Sequence, residues 1–193
     1  MMHRAVILLI LGAALVGCTI VPNAGTAVDS GDHPSKRVTS DMIEGVTDSV
    51  DLQLINDLHA QSFLIRTMAA EALANSRDRE IRTQAAAIFQ TQGVALRQME
   101  AWRREWFADA PALVTDAPAV GNSIAADDNK SFDLRFLDAI ITQKEQIVQL
   151  ANEANGKVAH TQLDTLVKSI LIQQPNDISR LKGFQQQMME TSS

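Results

Sequence analysis

The chain has 193 residues, of which 46% are hydrophobic and 21% are charged, and its formal net charge is -6. This composition is typical of a globular protein, and an acidic balance without a block of Lys and Arg argues against nucleic acid as a partner. The single cysteine, Cys18, excludes an internal disulfide framework and any zinc or iron–sulfur site built from cysteines.

Residues 1–17 have the three parts of an export signal. A basic start at Arg4 precedes the apolar run 5–15, and small residues follow before Cys18. The run is shorter than the ~20 residues that a membrane-spanning helix needs. The Leu-Val-Gly-Cys sequence at 15–18 resembles the lipobox of bacterial lipoprotein signals. The resemblance implies cleavage after residue 17 and lipidation of Cys18; the alternative is a plain signal anchor with an incidental cysteine.

The segment 18–40 is predicted to comprise the lipidated cysteine and a flexible tether. It has no apolar periodicity, and helix breakers interrupt it at Pro22, Gly25, Gly31 and Pro34. Thr19, rather than Asp, follows the cysteine, which by the sorting tendency of Gram-negative lipoproteins favours the outer membrane. We therefore expect a lipid-anchored protein of the bacterial cell envelope that faces the periplasm.

The remainder of the chain, 41–190, contains an internal repeat. Residues 51–102 align without a gap onto 133–184 at an offset of 82 residues, and ten of the 52 aligned pairs are identical. In each copy, apolar residues recur at steps of three and four along two successive stretches, which is the pattern of one helix face. The repeat therefore predicts four helices in two similar hairpins.

Each hairpin alone would leave an apolar stripe in water, so the two are expected to pack together as an all-α four-helix bundle. The linker 108–131 contains several breakers, among them Pro111, Pro118 and Gly121. A tight antiparallel turn does not need so many residues. Its length favours a crossover that runs along the bundle between the second and third helices.

The repeated residues resemble those of the bacterial domain of unknown function 305 family. They include Asp51, Leu54, Leu58, Ile88, Gln92, Met99 and Trp102, with Asp133, Phe136, Ile140, Ile170, Gln174, Leu181 and Phe184 in the second copy. The resemblance implies a ferritin-like bundle, commonly exported, with copper or other metal binding proposed for some members. Its most specific motif is a His-His pair on the first helix of each repeat. Those positions are Gln61-Ser62 and Gln143-Lys144 here, so the chain is a degenerate copy.

Few residues of the chain are candidates for metal binding or catalysis. Neither His59 nor His160 has an acidic residue three positions before it, so the di-iron signature of ferritin-like oxidases is missing. Asp164 could make a weak exposed pair with His160. Methionines at helical spacing are usually core residues rather than copper ligands, which applies to Met68, Met99, Met188 and Met189. Since no nucleophile arrangement or phosphate-binding loop is evident either, we expect no enzyme activity, metal or cofactor.

A glutamine lies at the middle of the apolar stripe of each predicted helix, at Gln61, Gln92, Gln143 and Gln174. A buried amide without a partner costs about 1–3 kcal/mol, so the four are expected to form a polar core layer that hydrogen-bonds internally or to enclosed water. The alternative is that some of these stripes face solvent at this level. Lys144, directly after Gln143, and Asp177, three residues after Gln174, are expected to form a partly buried ion pair in place of a metal.

At the end of the second helix, Trp102 is expected in the core, whereas Trp106 and Phe107 are candidates for an exposed partner or self-association patch. The sequence as a whole favours a non-catalytic envelope lipoprotein, a binding or scaffold module held on the membrane through Cys18, with an unidentified envelope protein as partner. The alternative is a periplasmic copper-binding protein. The sequence does not indicate an oligomeric state.

Overall fold

The computed structural model describes residues 40–113, 123–127 and 129–191, with side chains from Val50 onward. The predicted signal peptide, Cys18 and the tether up to residue 39 lie outside the described residues, as do 114–122 and Asp128 of the linker. The described chain forms four helices, α1 (Ser40–Asn75), α2 (Arg79–Trp106), α3 (Phe132–Ala154) and α4 (Thr161–Thr191). None of these helices combines the length and the apolar character needed to cross a bilayer.

Local sequence signals set the starts of the two middle helices. Asp78 is the N-cap of α2, and its Oδ1 accepts hydrogen bonds from the amides of Glu80 at 2.7 Å and Ile81 at 3.0 Å. Ser131 caps α3 by accepting from the amide of Leu134 at 3.3 Å. Such side-chain acceptors satisfy amides that have no partner within the helix, which fixes where each helix begins.

The four helices pack as a bundle of two hairpins, as the repeat predicted. Helix α1 packs along α2, α3 packs along α4, and the α1–α3 contact joins the hairpins. The core is one apolar cluster that draws on all four helices. Its largest fully buried apolar side chains are Phe136, Ile55, Ile65, Ile81, Leu137, Ile140, Leu163 and Val167.

The linker between α2 and α3 joins opposite ends of the bundle. At one end, Trp106 at the close of α2 stacks on His160, which immediately precedes α4. At the other end, Ser123 hydrogen-bonds to Glu71 near the close of α1, and this glutamate shares a cleft with Phe132 at the start of α3. Helices α2 and α3 therefore run in the same direction, as the crossover predicted from the linker's length requires.

Candidate functional site

The four glutamines expected in the polar layer are all partly buried. Among the described residues no hydrogen bond joins any two of them. The Oε1 atoms of Gln61 and Gln143 are buried without a partner, whereas Oε1 of Gln174 accepts from Lys144 Nζ at 2.8 Å. An unpaired buried amide oxygen is costly, so these two oxygens are weakly satisfied polar atoms of the bundle.

Lys144, on α3, lies directly beside two of these glutamines. Only 7% of its side chain is exposed, and Nζ lies 3.8 Å from Oδ2 of Asp177, whose side chain is 9% exposed. Burial lowers the pKa of the Lys144 ammonium below its ordinary value, although the nearby Asp177 carboxylate acts in the opposite direction. The structure thus brings together the lysine and the aspartate that the sequence singled out.

A second cation completes this cluster from the surface. Arg180, one turn after Asp177 on α4, donates from Nη2 to Oδ1 of that carboxylate, and half of its side chain is exposed. Asp177 therefore holds the buried ammonium with one oxygen and a surface guanidinium with the other. Arg180 also lowers the pKa of Lys144, since two cations share one carboxylate.

Another polar cluster, which sequence analysis missed, surrounds Asp51 at one end of the bundle. This fully buried carboxylate on α1 accepts from the amides of Ala159 at 3.0 Å and His160 at 2.8 Å, and from His160 Nδ1 at 2.6 Å. The carboxylate of Asp51, on α1, therefore accepts hydrogen bonds from the backbone amides that lead into α4. The available signal was an acidic residue on the apolar face of α1, one turn before Leu54 and Ile55.

Two expectations about this end of the bundle were wrong. His160 pairs with Asp51 rather than with Asp164, which instead binds Lys168 at 2.6 Å. Trp106 and Phe107 are half-buried against the core rather than forming an exposed patch. The ring of Trp106 stacks between Trp102, at 5.2 Å, and the imidazole of His160, at 4.0 Å, because the start of α4 covers the end of α2.

His59 has a neighbour that its own helix face did not reveal. Its side chain is 5% exposed, and its Nε2 lies 3.4 Å from Oε1 of Glu100 on α2. The other ring nitrogen, Nδ1, is buried without a hydrogen-bond partner. Periodicity along one helix could not identify this pair, because the two residues are 41 positions apart.

The sequence matches a known protein family. The chain matches the family described as Domain of unknown function (DUF305) over residues 59–185, about two thirds of its length. The chain belongs to the DUF305 family. No curated protein matches it.

Solved structures with the same fold include forms of the protein CopM. The Cu(I)-bound form is 23% identical to this DUF305 chain, with a TM-score of 0.61 over 72% of this chain and 96% of CopM. The Cu(II)-bound form is 22% identical, with a TM-score of 0.59 over 71% and 97% of the two chains. The silver-bound form is 23% identical, with a TM-score of 0.59 over 71% and 95%. At this level of identity the likeness establishes the shared fold.

The residues at the four positions where the family resemblance implied histidine pairs do not fit a copper ion. Gln61 and Gln143 offer neutral amide groups, Ser62 offers a hydroxyl group, and Lys144 carries an ammonium that would repel a cation. Copper prefers imidazole, thiolate and thioether ligands. In the part of the chain that the structure describes, no group of three or more His, Cys, Asp or Glu side chains could hold a metal.

The methionines weighed as copper ligands have different positions. Met68 and Met99 are 4% and 3% exposed and belong to the apolar core, whereas Met188 is partly buried and Met189 is exposed near the end of α4. The first two therefore contribute to packing. Their environment is that of ordinary core methionines.

Proposed function

We propose that this DUF305 protein is a non-catalytic module of the cell envelope, which binds or scaffolds another component and does not hold copper at the centre of its bundle. The observation that carries the proposal is the buried ammonium of Lys144, at a position where the family resemblance implied a histidine. Its contacts with Gln174 and Asp177 give the site an internal cation. A metal ion entering there would have to displace that charge or lie beside it.

The membrane anchor is part of the same proposal. Lipidation of Cys18 would hold the protein on the outer membrane, with residues 19–39 separating the bundle from the lipid surface. Metabolic labelling with an alkyne fatty acid, followed by membrane fractionation, tests this directly. We expect the full-length protein to be labelled and to sediment with outer-membrane markers, and the Cys18→Ala variant to be unlabelled. Labelling of the variant, or an unlabelled wild type, would refute the anchor.

Metal titration of the full-length chain tests the claim about the bundle centre. We expect Cu(I), Cu(II) and Ag(I) to show no stoichiometric binding to the wild type by calorimetry. A matched positive control replaces the four divergent residues with histidine, as Gln61→His, Ser62→His, Gln143→His and Lys144→His in one chain. This variant is expected to gain stoichiometric binding of at least one of the ions, which would show that the assay detects such a site.

Copper binding is the second candidate function, and two observations favour it. The fold is shared with copper- and silver-bound CopM, and the buried imidazole of His59 has a ring nitrogen without a partner. Stoichiometric binding by the wild type that is lost in His59→Ala would select this alternative. Stoichiometric binding that survives in His59→Ala would also overturn the primary proposal and indicate a different site.

A further inference from the structure

A cleft of about 410 Å³ opens where α1 ends and α3 begins. Helix α1 contributes Glu71 and Asn75, and α3 contributes Phe132 and Arg135. Residues 124–126, at the far end of the crossover, complete the wall. This volume lies within the range of about 300–1,000 Å³ typical of small-molecule sites, and none of the residues of the polar centre lines the cleft.

One wall of the cleft is negative. Glu71 is only 5% exposed, and its Oε2 accepts a hydrogen bond from Ser123 Oγ at 2.6 Å. The amide of Asn75 donates to the main-chain carbonyl of Glu71 at 3.1 Å rather than to the carboxylate. A carboxylate accepts about four hydrogen bonds, and one neutral hydroxyl supplies a single donor. Glu71 therefore retains capacity for a cationic donor.

The positive charge in the cleft belongs to Arg135, on α3. Its Nη1 donates to the carbonyl of Ala125 at 3.3 Å, while its Nε is buried without a hydrogen-bond partner. The guanidinium lies 5.9 Å from the centre of the Phe132 ring. Within the described ranges no ion pair joins Arg135 to Glu71, so the two charges face the same cleft without neutralising each other.

We propose that this cleft binds a small zwitterion of the α-amino acid type with an apolar side chain. The ligand's ammonium would donate to Glu71, and its carboxylate would accept from Arg135, whose fork-shaped donor set suits a carboxylate. Its apolar part would lie against Phe132 and Ile124. A purely anionic ligand would be repelled by Glu71, and a purely cationic one by Arg135. This inference goes beyond the proposed function and does not depend on it.

Calorimetric titration of the full-length protein with three probes tests the inference. L-leucine carries both charges, L-leucinamide lacks the carboxylate, and 4-methylpentanoate lacks the ammonium. We expect saturable one-to-one binding of L-leucine and at least tenfold weaker binding of each analogue, because each analogue loses a charge-assisted hydrogen bond. A tenfold loss corresponds to about 1.4 kcal/mol. No saturation by L-leucine up to about 10 mM, well above a 1 mM dissociation constant, would refute the proposal. Equal affinity for either analogue would also refute it.

Variants assign the binding to the cleft. Arg135→Met and Glu71→Gln each remove one charge, and the glutamine still offers an acceptor to Ser123. Each is expected to weaken L-leucine binding at least tenfold, whereas Arg104→Met, at an exposed arginine outside the cleft, is expected to leave it unchanged. Unchanged affinity in both cleft variants would place the ligand elsewhere and contradict the inference. The analogue comparison uses the unmodified chain, so the test survives if a variant fails to fold.

Discussion

The buried ion pair between Lys144 and Asp177 makes a quantitative prediction about stability. Its two charged atoms are 3.8 Å apart, and both side chains are less than one-tenth exposed. At an effective dielectric constant of about 20, unit charges at this separation attract by about 4 kcal/mol. Arg180 also binds Asp177 and so supplies part of that attraction when Lys144 is removed. We therefore expect a coupling energy of about 2 kcal/mol between Lys144 and Asp177.

The single variants are expected to differ in severity. Asp177→Ala leaves a buried ammonium with Gln174 as its remaining contact, which should lower the free energy of unfolding by about 3–5 kcal/mol. Lys144→Met preserves the apolar stem and leaves Asp177 with Arg180, so it should cost no more than about 2 kcal/mol. Urea denaturation followed by circular dichroism at pH 7, on both variants and the double variant, measures all three terms.

An exposed pair on the same two helices provides the control. Lys182 Nζ and Glu145 Oε1 are closer, at 2.6 Å, but about half of each side chain is exposed. Since solvent screens such pairs, their coupling should stay below about 1 kcal/mol. A coupling energy for Lys144 and Asp177 no larger than that of this control would refute the claim that burial, rather than proximity, sets the strength of the central pair.

Three further predictions concern the buried carboxylate of Asp51, alkaline pH and two glycines. Asp51→Asn should lower the free energy of unfolding by about 2 kcal/mol, and it should speed amide exchange at His160, because a charged acceptor at the start of α4 is lost; unchanged exchange would contradict the capping role. The lowered pKa of Lys144 means that the unfolded chain binds this proton more tightly, so wild-type stability relative to Lys144→Met should rise as pH increases from that lowered pKa towards 10.5. Thermal melts of both proteins between neutral pH and pH 10.5 measure this stability difference. A difference that stays constant or falls as the pH increases would contradict the prediction. The methyl group added by Gly183→Ala meets open space within α4, so this variant should raise the free energy of unfolding by about 0.5–1 kcal/mol. Gly156 has a φ of +73°, so Gly156→Ala should lower the free energy of unfolding by about 1 kcal/mol. Equal effects of the two variants in urea denaturation would contradict this argument from backbone conformation.

The fold was largely predictable because it depends on periodic features of the sequence. Apolar steps of three and four identified all four helices, and the 82-residue offset paired them into hairpins. The length of the linker then predicted the crossover. These are properties of single segments or of their spacing, which a sequence displays directly.

The polar contacts were less predictable because they depend on how separate helices meet. The repeat aligns Asp51 with Asp133, yet the first satisfies the start of α4 while Oδ1 of the second is buried without a partner. Equal positions in the repeat therefore have unequal surroundings. The pairing of Lys144 with Asp177 was predictable because it follows from positions close to the aligned glutamines. The contact of His160 with Trp106 follows from the turn between α3 and α4, whose path the periodicity does not encode.

The bond between Asp51 and the start of α4 has a consequence for how the molecule folds. Its partners are 109 positions apart in the chain, and one lies in each hairpin. Such a contact forms only after a large loop has closed, which raises the contact order of an otherwise locally connected helical protein. The last helix thus acquires its full set of amide acceptors only when both halves have docked. We expect the two hairpins to unfold in a single cooperative transition rather than as independent units.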